Sequence, residues 1–255
     1  MTIPSLARRQ LTGRRGYCLV TLVMVALIFF TVAIVLLKHP SMIAPEAALN
    51  LEAAKLIAAG KAPYIDFLCL VSPLLLYSSL VPLTIAQVLN IAPSLLMNLL
   101  MWLIAAASTL ACAKILLPRR HHREWHTFPP FIIALTLANV LMLFQLGECE
   151  HLFMLLLMPY LLVRWLRWNG YEISPKEAIY SGIFAGIGFS LCQLYIVYLV
   201  LLETLWLCTK IKIDPLFAPE ARTCLIAMLA YGLFLVMAPV PFTSAYLNIF
   251  APIFA

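Results

Sequence analysis

Five consecutive residues, Gly147-Glu148-Cys149-Glu150-His151, set two carboxylates and an imidazole between an apolar run that ends at Leu146 and another that opens at Leu152. Ionisable groups at bilayer depth are costly, so they are rare unless they line a protein interior or a watery cavity. Two carboxylates two residues apart beside a histidine can bind a divalent cation or hold a metal-bound phosphate, and a carboxylate can serve as a general base. A polar turn at an interface is the plainer alternative, and the residues alone leave both open. Glu46 and Asp66 are the other acids assigned to the same face. A general base needs a second charged or metal-binding group to make a site, and sharing a face with the pentad is what makes them candidates. His121, His122 and His126 beside Arg119, Arg120 and Arg123 fit a solvated basic loop, and Glu203 fits a position near the inner end of its helix.

Composition fixes the class of fold that must position these groups. With 64% hydrophobic residues, 11% charged residues and a mean hydropathy of +1.00, the chain lies outside the range of soluble domains. Apolar runs near the length of a bilayer crossing recur along it without a strand period. The expected fold is therefore an all-α, polytopic transmembrane bundle forming a single membrane domain. The net charge of +6 sits in short clusters between these runs, which implies topology and excludes a nucleic-acid surface. The seven cysteines lie in or beside apolar segments with no C-x-x-C, which argues for small core residues rather than a disulfide frame or zinc site.

In chain order, a basic cytoplasmic tail (1–16) precedes an uncleaved first transmembrane helix (17–37) and a first outer loop (38–67). Within that loop Glu46 to Ala59 is Ala- and Leu-rich and stops at Gly60, as expected of an interfacial helix. The remaining bundle (68–255) opens with Leu68 to Val88, which carries Pro73 and Pro82. If this segment crosses the bilayer, Arg119 and Arg164 fall outside and the pentad inside, against the positive-inside rule. If it bends at its prolines and returns, the pentad, Glu46 and Asp66 face outward together. Phe131 to Leu146 makes about 24 Å of helix, short of a hydrocarbon core of about 30 Å, which leaves the pentad in a recess. Arg164 and Arg167 with Trp165 and Trp168 fit an interfacial anchor. Glu177 to Cys208 is too long for one untilted crossing, so a break is expected near Cys192-Gln193, returning Lys210 and Lys212 to the inside. Gly182 and Gly186 form a G-x-x-x-G face suited to close helix packing. Thr223 to Pro239 is the final crossing, followed by an apolar end expected to fray.

The run GECEHLFMLLLMPYLLVRWLRWNG, followed by GIFAGIGFSL and Glu203, resembles the Glu-His-Leu and Pro-Tyr-Leu-Leu pattern of bacterial GT-C superfamily integral-membrane glycosyltransferases. The earlier AAKLIAAGKAPYIDFLCLVSPLLLY is similar to their first outer loop. The resemblance implies transfer of a sugar from a polyprenyl-phosphate donor to an acceptor hydroxyl at the outer face of the bacterial inner membrane. It implies Glu46 and Asp66 as catalytic acids, with Glu148, Glu150 and His151 binding substrate, if need be through a divalent cation. The implied partners are membrane lipid and the lipid-phosphate sugar, with a partner subunit unidentified. Pro45-Glu46 stands where relatives show Asp-Glu, Glu148-Cys149 where an Arg-containing sequence is usual, and Cys192-Gln193 where Lys-Pro is frequent. Each exchange lacks a charge that would hold a phosphate. The alternative is a non-catalytic multi-pass protein: a degenerate relative, a carrier or a scaffold subunit. Similar enzymes continue with further helices and an outer domain, so residues 1–255 are expected to be an incomplete catalytic unit.

Overall fold

Proline sets where most of the helices begin. Pro45, Pro73, Pro93, Pro129, Pro175 and Pro219 each stand in a first helical turn, where the missing N–H breaks no bond and the fixed φ suits the helix. The structure is a computed structural model that describes residues 5–40, 42–119, 125–142, 145–210 and 217–254. Arg120, His121, His122, Arg123 and Lys212 lie outside these residues, as do the side chains of Arg8, Arg9, Arg14, Arg15 and Lys210. The helices are α1 (Ser5–Lys38), α2 (Pro45–Ala58), α3 (Pro73–Ser78), α4 (Leu80–Leu89), α5 (Pro93–Leu116), α6 (Phe128–Leu141), α7 (Cys149–Trp168), α8 (Pro175–Leu191), α9 (Ile196–Lys210), α10 (Pro219–Met237) and α11 (Val240–Phe254). The described residues contain no strand, so the fold is all-α. Four stretches, Gly16–Lys38, Pro93–Arg119, Cys149–Trp168 and Pro219–Met237, are long and apolar enough to cross a bilayer, which makes this a membrane protein.

The bundle has two chemically distinct ends. At one, Arg119 pairs with Glu177 at 2.9 Å and donates to the Glu172 carbonyl, joining the end of α5 to the start of α8. At the other lie α2 and the pentad. The Leu68 to Val88 segment does not run through the bundle: it splits into α3, capped by the Ser72 hydroxyl, and α4, closed by Asn90 in the left-handed region at φ 54°. Its start lines a cavity with Glu150, and just beyond its end Ser94 donates to the Pro40 carbonyl at 2.8 Å. Both ends of the segment are therefore at the pentad end. Helix α6 stops at Leu141, alongside the second half of α5, where Asn139 donates to Thr109 at 3.0 Å. Near the end of the described residues lies α11, whose Tyr246 packs on Tyr64 at 5.2 Å between ring centroids.

Helices α8 and α10 meet through the G-x-x-x-G face. A Cβ on Gly182 would lie 2.3 Å from the Glu220 carbonyl oxygen, and one on Gly186 would lie 2.5 Å from the Ala227 Cβ and 2.7 Å from the Cys224 carbonyl oxygen. Between apolar helices in lipid, such close backbone approach supplies the van der Waals contact that holds the pair.

The expected interfacial anchor is instead a buried charge cluster. Arg164 is 1% exposed and Glu220 0%. Arg164 pairs with Glu203 and lies 3.3 Å from Glu220, while Arg167 reaches both Glu220 oxygens at 2.6 and 2.9 Å. Tyr160 donates to Glu203 at 3.1 Å, and the Arg164 guanidinium lies 4.8 Å from the centre of the Trp206 ring. Glu203 thus faces the bundle and ties α9 to α7. Two guanidinium groups against two carboxylates leave the cluster neutral, which is how charge is accommodated at this depth.

Gly186→Leu is expected to cost about 1–3 kcal/mol through overpacking of the α8–α10 seam, while Gly232→Ala, whose added Cβ meets nothing within 4 Å, should be neutral or slightly stabilising. Glu220→Ala should cost about 3–5 kcal/mol by stranding the arginines. Unfolding in detergent micelles with increasing dodecyl sulfate measures all three.

Candidate functional site

The site is built on a glycine. Gly147 adopts φ +90°, and a Cβ there would come 2.8 Å from the Cβ of Ala47. The absence of a side chain lets α2 dock on the chain just before α7, and Ala47 is fully buried in that contact. Docking carries Glu46 to the start of α7, where its carboxylate accepts from the Cys149 N–H at 2.9 Å. Glu148 occupies the N-cap position but makes no side-chain cap hydrogen bond. A carboxylate from a helix 103 residues away therefore satisfies an amide that the local sequence leaves open. Burial raises the Glu46 pKa above the ordinary carboxylate range, and the negative charges of Glu150 and Glu148 add to the rise. The Cys149 N–H opposes it.

On the next residue, Glu150 accepts from the Tyr195 hydroxyl at 3.1 Å. Tyr195 lies in the short turn Gln193–Tyr195 between α8 and α9, the break expected near Cys192-Gln193. Gln193 in turn accepts from the Tyr246 hydroxyl. Glu46, Ser72, Glu150, Gln193 and Tyr195 line a cavity of about 160 Å³. Glu150 and Tyr195 also line an adjoining groove of about 590 Å³, otherwise walled by apolar side chains such as Phe153, Leu157, Leu161 and Leu202.

Of the predicted site residues, Glu46 and Glu150 share the cavity, and Glu148 is close enough to act on Glu46 through its charge. Asp66 is not among the residues lining the cavity; its carboxylate accepts from the Ala62 N–H at 2.7 Å, closing the turn Ala62–Asp66 on an exposed loop. His151 is 5% exposed, packed behind the cavity wall, with the Gln145 backbone as its polar neighbour. Among the described residues no group of three His, Cys, Asp or Glu side chains is arranged to hold a metal ion.

The cysteine reading needs correction. Cys149 and Cys192 form a disulfide, with Cα atoms 6.3 Å apart, while Cys18, Cys69, Cys112, Cys208 and Cys224 are free. Their spacing of 43 residues carries no motif; the available signal was that each stands where an apolar run gives way to a turn on the same face. The break near Cys192-Gln193 was expected, but nothing in the sequence singled out Tyr195 within it as a partner of Glu150. Comparison with known proteins finds no matching family model, no matching curated protein and no matching solved structure.

Gly147→Ala forces an unfavourable φ and pushes α2 away from α7, so a loss of about 1–3 kcal/mol is expected in the same micellar unfolding measurement. Glu46→Gln keeps an acceptor for Cys149 N–H and should fold. Because the native pKa of Glu46 is raised, its protonation favours the folded state below the ordinary carboxylate pKa, and that contribution is lost as pH rises through the raised value. Unfolding midpoints measured across this window should fall with pH in the native chain, and the Gln variant should flatten that component of the slope.

Proposed function

We propose that this chain is a sugar-transfer module of the bacterial inner membrane, using a polyprenyl-phosphate sugar at the face that carries the pentad. The observation that supports it is the joining of two carboxylates, from the first loop and from α7, in one cavity whose wall continues into an apolar groove. The groove suits an isoprenoid chain, and the cavity at its polar end suits a sugar or acceptor hydroxyl.

In this reading Glu46 is the general base. Burial raises its pKa, which makes it a stronger base than an exposed carboxylate, and it takes the proton from the acceptor hydroxyl. The freed oxygen attacks the anomeric carbon, the bond from that carbon to the phosphate oxygen breaks, and the lipid phosphate leaves with the electron pair. Attack opposite the leaving group inverts the anomeric centre. Glu150, held by Tyr195, orients a hydroxyl of the sugar or acceptor. Asp66, closed on its own turn, has no part in this chemistry.

A second reading, a non-catalytic scaffold or carrier, is favoured by one observation: the Glu46 carboxylate already serves as a helix cap. Sugar transfer in membrane vesicles separates the two. On the catalytic reading Glu46→Gln lowers transfer by at least about 100-fold, the scale of a lost general base, and Glu150→Gln weakens acceptor use, both with normal membrane insertion. The acid limb of the rate profile then lies above the ordinary carboxylate range and vanishes in Glu46→Gln. Unchanged transfer in both variants would sink the catalytic reading.

A further inference from the structure

The disulfide lies at the junction of the two walls of the cavity. Cys149 is the first residue of α7, and its own amide donates to Glu46; Cys192 ends α8 with non-helical backbone at φ −126° and ψ 76°. One wall carries Glu150 and the other carries Gln193 and Tyr195. Lower down, α7 and α8 need no such link. A Cβ on Gly188 would lie 3.3 Å from the Leu156 Cβ, and Phe153 meets Phe189 edge to face at 5.2 Å. At the pentad ends of α7 and α8 the chain leaves helical geometry, and there a covalent tie is found, the only one among the described residues.

The tie also bears on orientation. Disulfides persist in oxidising compartments and are rare where thiols are kept reduced. The bonded pair is at the pentad end, while Arg119, Arg164 and Arg167 are at the other, as the positive-inside rule requires if the pentad faces outward. Charge distribution and cross-linking are separate observations that give the same orientation.

We infer that Cys149–Cys192 is an oxidation-dependent staple that completes the cavity after membrane insertion, on the side of the membrane that favours disulfides. Its formation releases two protons and two electrons from the thiols to the disulfide of an oxidoreductase, which leaves as a dithiol by way of a mixed disulfide. The staple fixes the α8–α9 turn against α7, holding Tyr195 on Glu150. Sugar transfer is not required for this role, so the inference and the proposed function fail separately.

The test uses the full chain in native membranes. Free thiols are blocked with N-ethylmaleimide under denaturing conditions, the sample is reduced, and a polyethylene-glycol maleimide is added. The native chain should gain two adducts after reduction, and Cys149→Ser or Cys192→Ser should gain none. Equal labelling with and without reduction in the native chain would refute the staple. In intact cells, a membrane-impermeant phosphine followed by an impermeant maleimide should label Cys149 and Cys192 and leave Cys208 unlabelled. Labelling of that pair only after permeabilisation would overturn the orientation. Carbodiimide modification of Glu150, read by mass spectrometry, should rise several-fold in the Cys149→Ser/Cys192→Ser variant as the turn loosens, and an unchanged rate would remove the positioning role even with the bond present.

Discussion

The hydrogen bond from the Cys149 amide to the Glu46 carboxylate is the contact on which the pentad end of the molecule depends. A helix N-terminus presents unsatisfied N–H groups and a partial positive charge, and a negatively charged side chain is a favourable partner. Here the partner comes from α2, so the first-loop helix is tied to the start of α7. The close approach at Gly147 and Ala47 makes the reach possible. Once α2 is placed, Leu70, Val71 and Ser72 ahead of α3 and the α8–α9 turn enclose the same small volume. The electrostatic cost falls on Glu46, whose charge is desolvated and faces two further acids.

Much of the architecture was legible because it follows from hydropathy, proline and glycine. The first-loop helix stopping before Gly60, the break after Leu191 and the G-x-x-x-G seam are local signals that appear where the sequence places them, while the Leu68 to Val88 segment, expected to bend at its prolines, starts a helix at Pro73 and breaks at Ser79. The grouping of Glu46 with the pentad could be reasoned from shared face alone. What could not be read were pairings between distant residues: Cys149 with Cys192, Tyr195 with Glu150, Arg164 with Glu220. Each joins residues 43 to 56 positions apart, and no periodicity encodes which side chains meet across a bundle. Asp66 shows the converse: it lies in the outer loop with the other acids, but a neighbouring amide four residues back claims its carboxylate before any distant group can.

The two ends of α7 treat charge in opposite ways. At Arg164 and Glu220 the ions are fully buried and matched, so the cluster is structural and chemically quiet. At the pentad the acids are partly exposed and outnumber any cation, with hydrogen-bond donors from Cys149 and Tyr195 as their main support. Unbalanced charge beside a cavity is the less stable arrangement and the more reactive one, which is why functional groups tend to be found in such settings.

The buried cluster has a consequence for biosynthesis. Arg164 and its partner Glu220 are 56 residues apart, with α8 and α9 between them. When α7 first emerges from the ribosome its arginines have no carboxylate to meet, and they must wait in water or headgroups while the next two helices are made. Glu203 arrives first and can engage Arg164; only with α10 does Arg167 acquire its partner. The finished packing of α7 therefore draws on carboxylates from both later helices, and the last ion pair closes only when α10 is in place.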